Sequence, residues 1–269
     1  MTVSPRIRLY DHVLLDLDGC LWVGDGACEG AVDAVAALRD AGASVLFLTN
    51  DVRHAPEDFV RKLWRLGFQA SLAEVVTVGA ALQYQLSGRR PGTAFVVGSQ
   101  ALVDHVAAAG MRIVNRTPFA PRADVVVVGG HDAFDYDELR TATQAVLRGA
   151  ELVGATRDAT FPMPDGPWPG TGAVLAAVEA AAGRRADLVV GKPETAMYEA
   201  ARDRIGPGRM LAVGDLLEVD VAGARRAGID SALVLTGGTS REQADAADPR
   251  PTMVADSLAA LVEGRTSAA

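Results

Sequence analysis

The sequence predicts a doubly wound α/β fold on a parallel sheet, interrupted by a second α/β block. Two observations lead there. Short apolar, β-branched runs alternate with stretches of helical periodicity: 13–15 is followed by 31–41, and 44–49 by 56–66. The helical stretches stop at glycines, Gly42 and Gly67. Strand–helix alternation of this kind implies parallel βαβ units.

The alternation continues along the chain. A second block reads as strand 94–97, a helix to 109, strand 112–114, strand 125–128, helix 136–148 and strand 151–155. Residues 161–170 then break the pattern with Pro162, Pro164, Pro167 and Pro169, a density expected to forbid regular structure. An Ala-rich helix over 171–182 ends at Gly183. A third block opens at Leu188-Val189-Val190 and runs as helix 194–204, strand 211–213, helix 219–227 and strand 231–235. Residues 239–250 read as a polar loop, and a last helix as 257–262.

Composition limits the function. A chain of 269 residues with 49% hydrophobic and 22% charged residues holds ample core for one large domain or two ordinary ones. No apolar run reaches the ~18 residues of a membrane span. No apolar stretch follows Arg6 and Arg8, so no signal peptide is expected. Cys20 and Cys28 are too few for a zinc site or disulfide scaffold, and a cytoplasmic protein is the simplest expectation. The net charge of −8 argues against nucleic-acid and anionic-membrane partners. It also repels phosphorylated substrates, so a phosphate site must supply its positive charge locally. Of 26 basic residues only Lys62 and Lys192 are lysines. Lys62 lies on a helix-like stretch and reads as solvated. Lys192, between Gly191 and Pro193 after an apolar strand, reads as a chosen point charge.

Open parallel sheets bind ligands beyond the carboxyl ends of their strands, and four predicted strand ends carry polar groups of a coherent kind. They are Asp16-Leu17-Asp18-Gly19, Thr49-Asn50, Gly191-Lys192-Pro193, and Gly214-Asp215 with Asp220 five residues on. Singly, each has an ordinary reading as a turn, cap or first-turn charge. Together they form a metal-and-phosphate inventory. Carboxylates suit Mg2+, and hydroxyl, amide, ammonium and backbone N–H groups suit phosphate oxygens.

In order and wording these segments resemble the four motifs of the haloacid dehalogenase-like (HAD) superfamily. Several further segments are similar to the C2-type cap of its NagD/p-nitrophenylphosphatase-like group: Val126-Val127-Val128-Gly129 with Phe134 and Tyr136, Ala155-Thr156 with Asp158, Phe161-Pro162, and Pro169-Gly170-Thr171-Gly172. The trailing 227–237 segment fits as well. The resemblance implies a Rossmann-like HAD core over 1–79 and 185–269, with a cap over 80–184 that closes over the site and chooses the leaving group. It implies a phosphatase acting on small-molecule phosphate esters. Asp16 would be the nucleophile and Asp18 the general acid and base. Asp16, the Asp18 carbonyl and Asp215 would hold Mg2+. Thr49, Asn50 and Lys192 would bind phosphate, and Asp220 would reach the metal through water or position Lys192. Superfamily dehalogenases lack the second carboxylate, so Asp18 favours phosphoryl chemistry. Family caps often mediate homodimers, and the sequence leaves the oligomeric state open.

Some positions depart from the family pattern. Asp51 stands where Asn or Ser is usual, Glu218-Val219 where Asp-Thr is usual, His131 where Asp is common, and Arg157 where Asn is common. Arg157, with Asp158 and His131, is a candidate specificity residue of the cap; it recognises a second anionic group or is simply solvated. Three other readings stand beside the phosphatase: a signalling receiver domain, which the long insertion opposes, a phosphate-binding protein without turnover, and a phosphomutase.

Overall fold

The computed structural model describes residues 1–163 and 165–268. It divides into two compact units, one of residues 1–49, 56–76 and 192–269, the other of residues 50–55 and 77–191. Among the described residues, the first is built on a seven-stranded sheet in the order Thr266–Ala268, Met253–Ala255, Asp230–Val234, Met210–Gly214, His12–Asp16, Ser44–Thr49, Val75–Thr77. The pairings from Met253–Ala255 through to Ser44–Thr49 are parallel, and Thr266–Ala268 is antiparallel to its neighbour.

The interior strand His12–Asp16 shows why. Val13, Leu14 and Leu15 are at most 1% exposed, so both faces of the strand are covered. A parallel sheet clad by helices on both faces requires such continuous apolar runs. The helix Ala31–Asp40 turns Ala31, Ala34, Val35 and Leu38 inward, at helical spacing, into a core that includes Leu15, Phe47, Trp22 and Leu63. Each large apolar side chain buried there is worth about 1.5–3 kcal/mol.

The second unit holds, among the described residues, a five-stranded parallel sheet: Leu188–Val189, Glu151–Gly154, Val125–Gly130, Thr93–Gly98, Arg112–Ile113. The helix Tyr136–Leu147 begins at Asp135, whose side chain accepts from Glu138 N. The helix Thr171–Ala182 ends, as the sequence predicts, at Gly183, whose φ of 69° is the left-handed cap conformation. Both pack on a core of Val126, Val128, Leu152, Leu175 and Val178.

The structure corrects several sequence expectations. The proline-dense stretch is an antiparallel ribbon, Thr160–Met163 with Gly166–Pro169; Pro164 lies outside the described residues. Pro162 faces Pro167, and Pro169 faces Thr160. These are alternate pairs of the ladder, a set that antiparallel pairing leaves without hydrogen bonds, so the missing N–H groups are not needed. The strand Leu188–Val189 joins the second sheet instead of opening the third block. Within the polar loop lies a short helix, Arg241–Asp245, nucleated by a capping box of Ser240 and Gln243. The expected helix over 219–227 is present, but its start is a π turn, Leu217–Val221, that leads into Ala222–Arg226. The helix Val78–Ser87, capped by Thr77, was not legible as a helix because its apolar residues lie on most of its faces. Among the described residues no helix is long and apolar enough to cross a membrane.

Candidate active site

The strand order reverses at the interior strand His12–Asp16. From His12–Asp16 the chain moves to Ser44–Thr49 on one side; after the second unit it returns to Met210–Gly214 on the other. At such a switch point the loops part and leave a crevice at the carboxyl ends. Asp16 ends the interior strand in register with Leu48, so buried Thr49 stands one residue further along the neighbour. Asp215 directly follows Gly214 on the other neighbour.

Lys192 ties this end of the sheet together. Its Nζ donates to Asp16 Oδ1 and, at 2.6 Å, to Asp220 Oδ1. Asp220 Oδ2 accepts from Leu216 N at 3.1 Å, and Asp215 Oδ2 accepts from Gly238 N at 2.6 Å. The Tyr198 hydroxyl donates to the Asp220 carbonyl at 3.2 Å. Lys192, Asp215 and Asp220 are all buried. Burial pushes the Asp16 carboxyl well above its ordinary value; the Lys192 ammonium opposes this and the charges of Asp220 and Asp215 add to it. Burial and the Asp220 charge likewise raise Asp215, against the Gly238 N–H. Lys192 moves the other way: burial disfavours its charge, but Asp16 and Asp220 outweigh this and hold it protonated far above its usual range.

Three carboxylates therefore face one ammonium in a buried space. Oxygens of Asp16, Asp215 and Asp220 lie within 4.8 Å of one another. That donor set, hard, anionic and short of positive charge, fits a divalent cation such as Mg2+. It brings Asp220 into the carboxylate cluster alongside its bond to Lys192.

Two glycines make the cluster sterically feasible. A Cβ on Gly19, whose φ is +79°, would lie 2.4 Å from Asp215 Oδ2; one on Gly237 would lie 2.1 Å from the same atom. Thr236 Oγ1 donates to the Gly19 carbonyl at 2.5 Å and fastens the two loops.

Asp18 sits apart from this carboxylate cluster. It is exposed, and its Oδ1 accepts from Trp22 Nε1 at 2.7 Å. Of the remaining candidates, Asn50 and Asp158 meet within the second unit, Asn50 Nδ2 donating to Asp158 Oδ2 at 3.3 Å. His131 pairs with Glu138 at 2.8 Å. Arg157 is exposed and also paired within the second unit. Its guanidinium bonds both oxygens of Glu179, at 2.9 and 3.3 Å, and Arg185 and the Ala186 N–H complete the set, each at 2.8 Å. Asp51 closes a turn: its Oδ1 accepts from Arg53 N and His54 N at 2.6 and 3.2 Å.

Sequence reasoning places Trp22 at the entrance of the site or in packing, and misses its bond to Asp18 together with Tyr198 and Gly238. Only Trp22 carried a signal, its four-residue distance from Asp18 across a glycine turn. Tyr198 and Gly238 reach the site from segments whose local sequence is ordinary.

A family model described as haloacid dehalogenase-like hydrolase matches residues 13–112, and one described as HAD-hydrolase-like matches residues 189–261. The chain belongs to the haloacid dehalogenase-like hydrolases, in the NagD/p-nitrophenylphosphatase-like group. Among individual relatives, it is 38% identical to chronophin of Homo sapiens over 274 residues, covering 94% of this chain and 92% of that protein. The structure of a glycerol phosphate phosphatase from Mycobacterium tuberculosis in complex with magnesium matches with a TM-score of 0.88 at 36% identity, over 96% of this chain and 78% of that one. A p-nitrophenyl phosphatase from Archaeoglobus fulgidus matches with a TM-score of 0.87 at 28% identity, over 95% and 99%.

Proposed function

We propose that this chain is a phosphatase that hydrolyses small-molecule phosphate monoesters, such as sugar, glycerol, nucleotide or aryl phosphates, through an aspartyl-phosphate on Asp16. One observation carries the reading. Asp16 ends the interior strand at the switch point, with one oxygen held by Lys192 and two further carboxylates within 4.8 Å. The named activities of the relatives, among them a glycerol phosphate phosphatase and a p-nitrophenyl phosphatase, support the substrate class.

In this mechanism Asp16 attacks phosphorus and the P–O bond to the leaving group breaks as Asp18 delivers a proton to the departing oxygen. Asp18, now a carboxylate, takes a proton from water. The resulting hydroxide attacks the aspartyl-phosphate, releasing inorganic phosphate and restoring Asp16. Thr49, Asn50 and Lys192 hold the phosphoryl oxygens, and Asp220 fixes the Lys192 ammonium. Asp16, the Asp18 carbonyl and Asp215, with Asp220 nearby, would hold Mg2+, which neutralises phosphoryl charge when bound. The magnesium in the M. tuberculosis relative supports that choice of ion. The second unit is read as the cap that selects the leaving group.

The test is direct. Protein with Mg2+ should hydrolyse p-nitrophenyl phosphate, EDTA should stop it, and Asp16→Asn should lower kcat by more than about 10³-fold. A variant keeping a tenth of the wild-type rate would sink the covalent mechanism.

A further inference from the structure

Asp18 presents a physical problem. A group that gives and then takes a proton must be held at one point, yet Asp18 is exposed, and an exposed aspartate ordinarily samples several rotamers. The structure supplies an anchor. Trp22 is fully buried, packed in the core among Leu17, Cys20 and Leu21. The loop joining it to Asp18 is closed by its own backbone: Leu21 N donates to Leu17 O at 2.9 Å, and Gly19 N to Trp22 O at 2.8 Å. The indole N–H is therefore a fixed donor, and at 2.7 Å from Asp18 Oδ1 it determines where that carboxyl points.

Indole nitrogen donates and never accepts. Oδ1 must therefore remain an acceptor whether Asp18 is protonated or not. A protonated hydroxyl oxygen is the weaker acceptor, so this contact favours carrying the proton that Asp18 delivers and recovers on Oδ2, the oxygen Trp22 leaves available. A second contact acts on the same ring. The Lys62 ammonium, from the helix Pro56–Arg65, lies 4.3 Å from the centre of the Trp22 ring. A cation on the π face draws electron density from the indole and makes its N–H a stronger donor. Lys62 is thus not merely solvated: one of the chain's two lysines grips Asp16, and the other sits on the tryptophan that grips Asp18.

We propose that Trp22 is the positioning residue for Asp18, favouring Oδ2 for the transferred proton, and that Lys62 strengthens this hold. The proposal rests on the reading of Asp18 as general acid and base. It makes a prediction that packing alone does not. A positioning defect harms leaving groups in proportion to their need for a proton, whereas a folding defect lowers all rates alike. The experiment measures kcat/KM, which reports steps up to the first irreversible one, on p-nitrophenyl phosphate and on glycerol phosphate. Trp22→Phe, which keeps a buried ring and removes the N–H, should lose about 3-fold on the aryl ester and about 100-fold on the alkyl ester. Lys62→Met should tilt the same way, by about 3-fold on the alkyl ester.

Equal losses on both esters, or none on either, would overturn the role of Trp22; equal behaviour of Lys62→Met would overturn that of Lys62. If Trp22→Phe does not fold, 3-benzothienylalanine at position 22, which replaces N–H by sulfur at nearly constant shape, reads the same quantity. Asp18→Asn separates the two levels. A loss on the alkyl ester in Asp18→Asn without one in the position-22 variants ends the positioning proposal alone, and no loss in Asp18→Asn ends the acid–base reading beneath it.

Discussion

At the scale of single residues, the site depends on what is missing as much as on what is present. Gly19 adopts a φ of +79°, and a methyl there would meet Asp215 Oδ2 at 2.4 Å. Gly19→Ala is expected to cost about 1–3 kcal/mol of stability from backbone strain and to displace Asp215. Activity should fall by at least about 10-fold, because misplacing a carboxylate by an ångström harms phosphoryl positioning. Urea denaturation and steady-state rates read the two effects separately. Asp16 and Asp215 are legible in the sequence as candidates because each lies at a strand end, where chemistry and topology coincide. The ion pair of Arg157 with Glu179 is not legible in the sequence, for the opposite reason. Glu179 lies 22 residues away on the inner side of the helix Thr171–Ala182, and nothing in the local sequence marks a buried glutamate in an Ala-rich helix.

At the scale of elements, that glutamate joins three segments. Burial would raise the Glu179 carboxyl, but hydrogen bonds from Arg157, the Ala186 N–H and Arg185 outweigh it and bring the value from 4.5 down to about 2. A folded value below the unfolded one stabilises the protein at pH above about 4.5, and the contribution is lost as pH falls toward about 2. The shift corresponds to at most about 3 kcal/mol. Lowering the pH from 5.5 to 3 should therefore destabilise the wild type more steeply than Glu179→Gln, as read by urea midpoints followed in near-UV circular dichroism. Parallel slopes would show that the cluster contributes nothing. Element type was read well where periodicity and caps agreed, as in the helix ending at Gly183, and poorly where proline count was weighed without register. In the ribbon, the described prolines occupy ladder pairs that need no N–H, a property of pairing and not of composition.

At the scale of the whole molecule, charge decides behaviour. A chain of net charge −8 that also gathers three carboxylates, two of them buried, around one ammonium should gain stability from a divalent cation. Mg2+ is expected to raise Tm by an amount that grows with its concentration, and Asp215→Asn should remove most of that rise. Calorimetry reads this without reference to activity. Added salt should raise kcat/KM for dianionic substrates by a few-fold between about 10 and 150 mM, as it screens the repulsive field. The strand order carries one more consequence, for the chain as it emerges from the ribosome. The interior His12–Asp16 strand can pair early with Ser44–Thr49, but its other edge waits for Met210–Gly214. Until residues 210–214 have been synthesised, that edge lacks its native neighbour, while residues 77–191 have time to begin folding. During translation, therefore, the half-built sheet is the species that chaperones must shield, and aggregation of truncated nascent chains should fall once the segment through Gly214 has cleared the exit tunnel, and fall further as Asp230–Val234 and Met253–Ala255 close the remaining edge in turn.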